Sequence, residues 1–339
     1  FLQTLLDPCL FYSGAGSTLF IIFIYVDDIL LLTASAEHMR DIKERFFARF
    51  KCKDLGLIKR FLGVWVELAA DFSELTLHQS PYCTDIVTRH AEWYTMYKTP
   101  RKMPLPADMH DRIGAETPPP PSPDDEWFAW FTGFPYLEMV GAALYLAINT
   151  RPDIMFAVCM LARFSKERTM AACMGLAHLY SYLSGTCHIG ISFAARSLTE
   201  LCFEALLDLH GLTDSDWASD LRTRRSTAGF LVVAFGGPLT WGSKLMTTIA
   251  ASSMEAEYMG AYYLGQMLLY IRGLLKELGL ALEKPTPFFM DAMAAIQALQ
   301  NAVFHARTKH IAVKWRWLAQ FIGNIFKVIH LRTGDMTAD

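Results

Sequence analysis

Two adjacent carboxylates, Asp27 and Asp28, interrupt an apolar run that extends from Leu19 to Leu32. Burying such charges costs free energy unless a cation or hydrogen bonds offset them. The flanking segments are short and rich in Ile, Leu and Phe, which predicts a hairpin of two buried strands with the aspartates at its turn. A rigid turn with two oxygen ligands suits a divalent metal ion, but Asp is also common in turns that bind nothing. Residue types alone favour the second interpretation.

A second group of acids lies in the last third of the chain. Asp214 and Asp216 fall on a predicted strand, whose alternation places both side chains on one face. The long helix that follows begins with Ser252 and Glu255 at the spacing of a capping box, which gives Glu255 a structural role. Glu257 lies about 200° further around the helix than Glu255. It cannot share the capping role and is therefore free for chemistry.

Asp291 follows a short apolar strand and precedes a predicted helix. An acid at the carboxyl end of a strand is where α/β folds place active groups, but the same position is also an ordinary helix N-cap. With Asp214 and Glu257 on earlier elements, the predicted order is three antiparallel strands, a helix, a strand, a helix and a strand. We therefore expect five strands and two helices, in that order, in this part of the chain.

Upstream elements are predicted by the same periodicities. Ser35 is expected to cap a helix that runs to Phe50, and strands are expected at 61–68 and 75–79, followed by a helix from Pro81. The segment 103–133 is rich in proline, which predicts a linker or surface excursion with polyproline II character. Residues 135–185 read as apolar helices.

Composition limits the class of protein. The chain has 339 residues, of which 53% are hydrophobic and 19% charged, so a packed core in two or three domains is expected. The net charge of −3 does not by itself indicate nucleic-acid binding. Seven scattered cysteines without a Cys-x-x-Cys pair predict reduced thiols and no zinc site. The chain begins with Phe1 and shows neither a signal peptide nor a span of membrane length, which predicts a soluble, intracellular piece of a longer protein.

Several motifs together resemble one family. The stretch "LLDPCLFYS…FIIFIYVDDILLLTAS" resembles the Tyr-Val-Asp-Asp box of reverse transcriptases, in the form found in copia-type LTR retrotransposon Pol polyproteins. The stretches "NTRPDIMFAV" and "YLSGTCHIGISF" continue this resemblance. Further on, "SDWASDLRTRRSTAGF", "PLTWGSK", "SSMEAEY" and "FHARTKHI" are similar, in order, to the ribonuclease H domain of the same branch. The resemblance covers nearly the whole chain.

This resemblance implies an α+β chain with four parts. Residues 1–102 would form the C-terminal part of a reverse-transcriptase palm with the Tyr-Val-Asp-Asp hairpin, and 103–133 a Pro-rich linker. Residues 134–205 would form a helical region similar to a thumb or connection domain. Residues 206–339 would form a ribonuclease H-like α/β domain, a mixed five-stranded sheet flanked by helices.

The resemblance also assigns the sites. Position by position it implies that Asp214, Glu257, Asp291 and Asp339 hold two Mg²⁺ ions, or Mn²⁺, for cleavage of RNA in an RNA–DNA hybrid. It assigns Asp27 and Asp28 to the metal site of a polymerase, which needs a further acid from an earlier strand. The 26 residues before Asp27 show no match to that motif, so the polymerase part is expected to be incomplete. Asp216 and Asp220 are expected to be solvated turn acids.

Basic side chains near these motifs are candidates for phosphate contacts, with a solvated surface as the equally weighted alternative. They are Arg222, Arg224, Arg225, Arg307, Lys309 and His310. The implied partners are an RNA–DNA hybrid and template nucleic acid, with no membrane, and the implied location is the cytoplasm, in a virus-like particle, or the nucleus. The sequence gives no indication of the oligomeric state.

Some positions depart from the family pattern. Ala292, Ala312 and Arg316 stand where the family usually has Asn, Asp and His. None of these is one of the four acids. The alternative is therefore a catalytically inactive remnant, or a pseudoenzyme that binds hybrids without cutting them.

Overall fold

The structure is a computed structural model and describes residues 1–106, 108–114, 121–194, 207–301 and 312–338. Its first sheet is a four-stranded antiparallel meander of β1 (Leu2–Gln3), β2 (Leu10–Ser13), β3 (Phe20–Tyr25) and β4 (Asp28–Thr33). Helix α1 (Ala36–Arg49) follows, and its first turn is capped as predicted, because the Ser35 hydroxyl accepts a hydrogen bond from the His38 amide at 3.2 Å. Phe20, Ile22 and Ile42 form the small core of this part.

A second four-stranded sheet consists of β5 (Arg60–Phe61), β6 (Val64–Leu68), β7 (Glu74–His78) and β8 (Ile191–Ala194) in that order. The strand expected at 61–68 is divided by a tight turn at Leu62 and Gly63, which have φ values of 50° and 83°. The last strand, β8, enters from beyond the helical region. The sheet therefore ties the two ends of that region together.

In the described part of the chain, six helices lie between β7 and β8 and surround a large hydrophobic core. They are α2 (Ser80–Arg89), α3 (Met109–Gly114), α4 (Phe128–Gly133), α5 (Tyr136–Asn149), α6 (Met155–Ala162) and α7 (Met170–Thr186). Arg151 is buried among them, where its guanidinium is paired with Asp153 at 2.7 Å and donates to the carbonyl oxygen of Thr186 at 2.9 Å. Both partners satisfy its charge and donors, which permits its burial.

The Pro-rich segment differs from its prediction. Its described residues include α3 and α4, and Leu105, Met109, Ile113 and Phe131 are buried in the helical core. The imidazole of His178 also contacts the Met103 carbonyl oxygen at 3.1 Å. The described parts of 103–133 are therefore packed structure rather than a solvated spacer, because apolar residues between the prolines supply enough area to bury.

The third sheet is mixed and has the order β11-β10-β9-β12-β13. Its strands are β9 (His210–Ser215), β10 (Thr227–Ala234), β11 (Gly237–Leu245), β12 (Thr286–Met290) and β13 (Phe326–His330). The first three form an antiparallel meander, and β12 runs parallel to both β9 and β13. Helices α8 (Ser253–Glu277), α9 (Met293–Asn301) and α10 (Ala312–Ala319) accompany them. The chain is thus of mixed α and β class, as expected.

The core of this third part is formed mainly where α8 packs on the sheet. Leu264 and Leu268 of the helix are fully buried with Phe288 of β12 and Phe326 of β13. Among the described residues, no helix combines the length and hydrophobicity that a membrane crossing requires.

Candidate metal centre

Three carboxylates meet at the carboxyl-terminal ends of β9 and β12, which are inner strands of the third sheet. Strand β12 is the parallel neighbour of β9, with Phe289 opposite Leu212, so Asp291 and Asp214 reach the same edge. Glu257 comes from the beginning of α8, which packs on β9. The ligand oxygens of Asp214, Glu257 and Asp291 all lie within 4.8 Å of one another. In the part of the chain that the structure describes, this is the one such cluster of potential metal ligands.

Glycine allows α8 to come this close to the sheet. Gly260 lies one turn after Glu257, and a Cβ atom there would be 2.5 Å from the Ser215 hydroxyl and 2.7 Å from that of Thr213. The helix could not keep its position with a side chain at this point. The sequence alone did not indicate a role for Gly260, because a glycine within a helical pattern does not reveal which element packs against it.

The start of α8 is capped by Ser252 as predicted, but the Glu255 carboxylate binds the amide one residue before the N-cap instead of that of Ser252. The Ser252 hydroxyl accepts from the Glu255 amide at 3.2 Å, and the Glu255 carboxylate accepts from the Ala251 amide at 2.8 Å. Glu255 is therefore engaged in capping. Glu257 points instead to the acidic cluster.

The electrostatics of the cluster are unfavourable without a cation. Glu257 is only 6% exposed, and its Oε2 atom has no hydrogen-bond partner among the described residues. Burial, followed by the charges of Asp214 and Asp291, raises the pKa of Glu257 to about 8, although a hydrogen bond from the Ser215 backbone acts in the opposite direction. A hard divalent cation, which prefers carboxylate ligands, fits this donor set because it would offset the repulsion and supply the missing partner.

Residues near the end of the chain support the same site. The Thr333 hydroxyl donates to Asp291 Oδ2 at 2.9 Å and orients that carboxylate, a role that no motif indicated. The carbonyl oxygen of Ala338 lies 2.4 Å from the position that a Cβ of Gly229 would occupy. Gly229 is the strand partner of Asp214. Asp339 itself lies outside the described residues.

Asp216 and Asp220 are not the solvated turn acids that we expected. Asp216 is half-buried and accepts a hydrogen bond from the Thr227 amide at 2.5 Å. Asp220 is paired with Arg163 at 3.2 Å, and its side chain is only 13% exposed. The prediction failed because the partners come from the following strand and from a distant helix.

Asp27 lies in the hairpin turn that the sequence predicted, and Asp28 follows it as the first residue of β4. The prediction of two buried strands is wrong for β4, which contains no buried residue. Tyr25 pairs with Asp28, and Val26 adopts a left-handed conformation with φ of 52°. Both aspartates are exposed. They belong to no cluster of three potential metal ligands among the described residues.

The candidate phosphate-binding residues are only partly described. Arg222, Arg224 and Arg225 lie on the loop 216–226 between β9 and β10, which we call the arginine loop. Arg307, Lys309 and His310 lie outside the described residues. The arginine loop begins two residues after Asp214, so its first residues adjoin the acidic cluster along the chain.

The chain is similar to known proteins over its full length. Residues 1–100 match the family described as reverse transcriptase (RNA-dependent DNA polymerase). The whole chain is 30% identical over 341 residues to the retrovirus-related Pol polyprotein from transposon TNT 1-94 of Nicotiana tabacum. It is 30% identical over 346 residues to that from transposon RE1 of Arabidopsis thaliana. Both alignments cover 100% of this chain but 24% and 22% of the relatives, so the chain spans about a quarter of their length.

Among solved structures, the foamy viral protease-reverse transcriptase in complex with dsDNA is 14% identical with a TM-score of 0.42. That alignment covers 92% of this chain and 55% of the other. The family assignment rests on the sequence matches and not on this structural similarity. This chain belongs to the copia-type retrotransposon Pol polyproteins and is a reverse transcriptase-like segment of that family.

Proposed function

We propose that residues 206–339 form a ribonuclease H domain that cleaves the RNA strand of an RNA–DNA hybrid. The observation that carries this proposal is the cluster of Asp214, Glu257 and Asp291, whose oxygens lie within 4.8 Å of one another. The mixed sheet order and the position of these acids on β9, α8 and the end of β12 agree with the sequence motifs of that domain. We further propose that residues 1–102 form the C-terminal part of a reverse-transcriptase palm. Residues 134–205 would form a helical region similar to a thumb or connection domain, and residues 103–133 would join the two.

The four acids have distinct roles in this proposal. Asp214 and Asp291 lie at the centre, on neighbouring parallel strands, and Glu257 closes the site from the helix. Asp339 is proposed as the fourth ligand, because Ala338 packs against the strand partner of Asp214. Two Mg²⁺ or Mn²⁺ ions held there would activate a water for attack on the phosphodiester and stabilise the leaving oxygen.

Hydrolysis is favoured over polymerisation as the activity of the described residues. The acidic cluster includes the buried Glu257, whose Oε2 atom lacks a hydrogen-bond partner among the described residues, whereas Asp27 and Asp28 are exposed. Asp27 and Asp28 are proposed as part of a polymerase metal site that needs a further acid. Template nucleic acid and the RNA–DNA hybrid are the proposed partners.

Cleavage of a labelled RNA–DNA hybrid in Mg²⁺ tests this function. Asp214→Asn, Glu257→Gln and Asp291→Asn are each expected to lower the rate at least about 100-fold, since loss even of groups that only support ligands costs 10- to 100-fold. Asp339→Asn should do the same. Asp335→Asn is its matched control, because Asp335 is exposed and close in sequence. Asp27→Asn should leave hybrid cleavage unchanged.

The alternative is a remnant that binds hybrids without cutting them. It rests on the departures Ala292, Ala312 and Arg316 rather than on the acids. An intact hybrid in both Mg²⁺ and Mn²⁺, combined with salt-dependent hybrid binding, would support this alternative and refute the proposed hydrolysis.

A further inference from the structure

The arginine loop, which connects the Asp214 strand β9 to β10, carries three positive charges. Arg222 and Arg224 are exposed, and Arg225 is half-buried. None of the three forms an ion pair with an acid in the described part of the chain. Their charges are therefore not neutralised by described acids, even though two carboxylates lie on the same loop.

Those two carboxylates already have other partners. Asp216 accepts hydrogen bonds from the Thr227 amide and the Ser219 hydroxyl. Asp220 accepts from the amide and the hydroxyl of Thr223, both at 2.9 Å. Its second oxygen, Oδ2, is paired with Arg163 at 3.2 Å.

Arg163 comes from outside the third sheet, at the C-terminal end of α6. Its other terminal nitrogen donates to the Thr227 hydroxyl at 3.0 Å, where β10 begins. The next residue, Phe164, is buried, and its ring centroid lies 5.2 Å from the Arg222 guanidinium carbon. The side chains of Arg163 and Asp220 are 16% and 13% exposed, so water and salt screen their attraction only partly.

The backbones of two loop arginines are hydrogen-bonded to the backbone of Asp220. The Arg224 amide donates to the Asp220 carbonyl oxygen at 2.6 Å, and the Asp220 amide donates to that of Arg225 at 3.1 Å. The chain thus folds back around Asp220. A largely buried carboxylate that loses its partner carries a large energetic penalty, which pairing with a neighbouring arginine would relieve.

We propose that Arg163 neutralises Asp220 and thereby keeps the loop arginines available for the phosphates of a nucleic-acid duplex. The identity of that duplex as an RNA–DNA hybrid rests on the function proposed above. Arg163 is a positioning residue, because it acts through Asp220 and the loop rather than on the reacting atoms. The helical region would in this way contribute to substrate binding by the neighbouring domain.

The test is hybrid binding measured by fluorescence anisotropy in EDTA over a salt series. Arg163→Ala is expected to raise the Kd about 10-fold and to reduce the slope of log K against log salt by about one, as for loss of one phosphate contact. Asp220→Asn removes the charge that needs neutralising. It should bind within about threefold of wild type, and the double variant Arg163→Ala/Asp220→Asn should recover to the same level.

Arg168→Ala is the matched control. Arg168 lies in the same helical region and donates to the carbonyl oxygens of Phe131 and Thr132, at 3.2 and 3.1 Å. Its loss removes one positive charge without removing a described contact of the loop. This variant should bind the hybrid like wild type.

Any one of three results would overturn the inference. The first is a double variant that binds as weakly as Arg163→Ala, and the second is an Arg163→Ala variant with the wild-type Kd and salt slope. The third is a wild-type protein that does not bind the hybrid. If Arg163→Ala does not fold, Asp220→Asn decides the matter, since a 10-fold loss of affinity there contradicts a neutralising role. Hybrid cleavage is measured separately in Mg²⁺, so failure of the proposed hydrolysis is distinguishable from failure of this inference.

Discussion

Replacing Glu257 with glutamine is expected to stabilise the protein when divalent ions are absent and to remove most of its stabilisation by Mg²⁺. The carboxylate is 6% exposed, and its Oε2 atom lacks a hydrogen-bond partner among the described residues. It also lies beside Asp214 and Asp291. Glutamine has nearly the same shape but no charge, so it removes the repulsion while it retains the packing of α8 against β9.

The size of the effect follows from the pKa of Glu257. Burial and the two neighbouring aspartates raise that pKa from 4.5 to about 8. Between these values the folded state binds more protons than the unfolded state, so the free energy of unfolding falls as the pH rises. One pKa unit corresponds to about 1.4 kcal/mol. Because the group is only half titrated at pH 4.5 in the unfolded state and at pH 8 in the folded state, the free energy of unfolding falls by about 4 kcal/mol over this range. The variant should lack this loss.

The free energies of unfolding of both proteins are measured by urea unfolding, with tryptophan fluorescence as the signal. The measurement is made at pH 5 and pH 8, in EDTA and in Mg²⁺. At pH 8 in EDTA, Glu257→Gln should be the more stable protein, and at pH 5 the two should be similar. Mg²⁺ should stabilise the wild type at pH 8 and have little effect on the variant, because binding to the folded state alone stabilises it. Glu283→Gln, at an exposed position, should match the wild type throughout. Equal stability of Glu257→Gln and wild type at pH 8 in EDTA, or equal stabilisation of both by Mg²⁺, would refute the reasoning.

Two further predictions concern the elements that position the site. Gly260→Ala should destabilise the fold by about 2 kcal/mol and weaken Mg²⁺ binding, because its Cβ would press on the Ser215 and Thr213 hydroxyls. Gly141→Ala, in α5 with open space around it, is the control and should be neutral or stabilising by up to about 1 kcal/mol. Ser252→Ala should cost about 1 kcal/mol through loss of the α8 cap. Urea unfolding checks all three variants, and normal stability of Gly260→Ala would contradict the close-approach argument.

Local signals in the sequence were sufficient for several elements. The hairpin around Asp27 and Asp28 and the caps at Ser35 and Ser252 depend on residues within a few positions of one another, and all three are present. The predicted burial of both hairpin strands is wrong for β4, because the burial of a strand depends on what packs on its faces. The mixed class of the chain was likewise accessible from periodicity. The described parts of 103–133 were not, because a high proline content concealed apolar residues whose partners lie in other helices.

The sequence by itself determined the family and nominated the acids as candidate ligands, since motif order and residue type are properties of the chain alone. Only the tertiary structure decided that Asp214, Glu257 and Asp291 meet, because their oxygens are brought within 4.8 Å by a parallel strand pair and a helix in close approach. It also decided that Asp220 is bound by Arg163, a residue 57 positions away. Charge repulsion and its compensation depend on distance in space, which spacing along the chain does not specify.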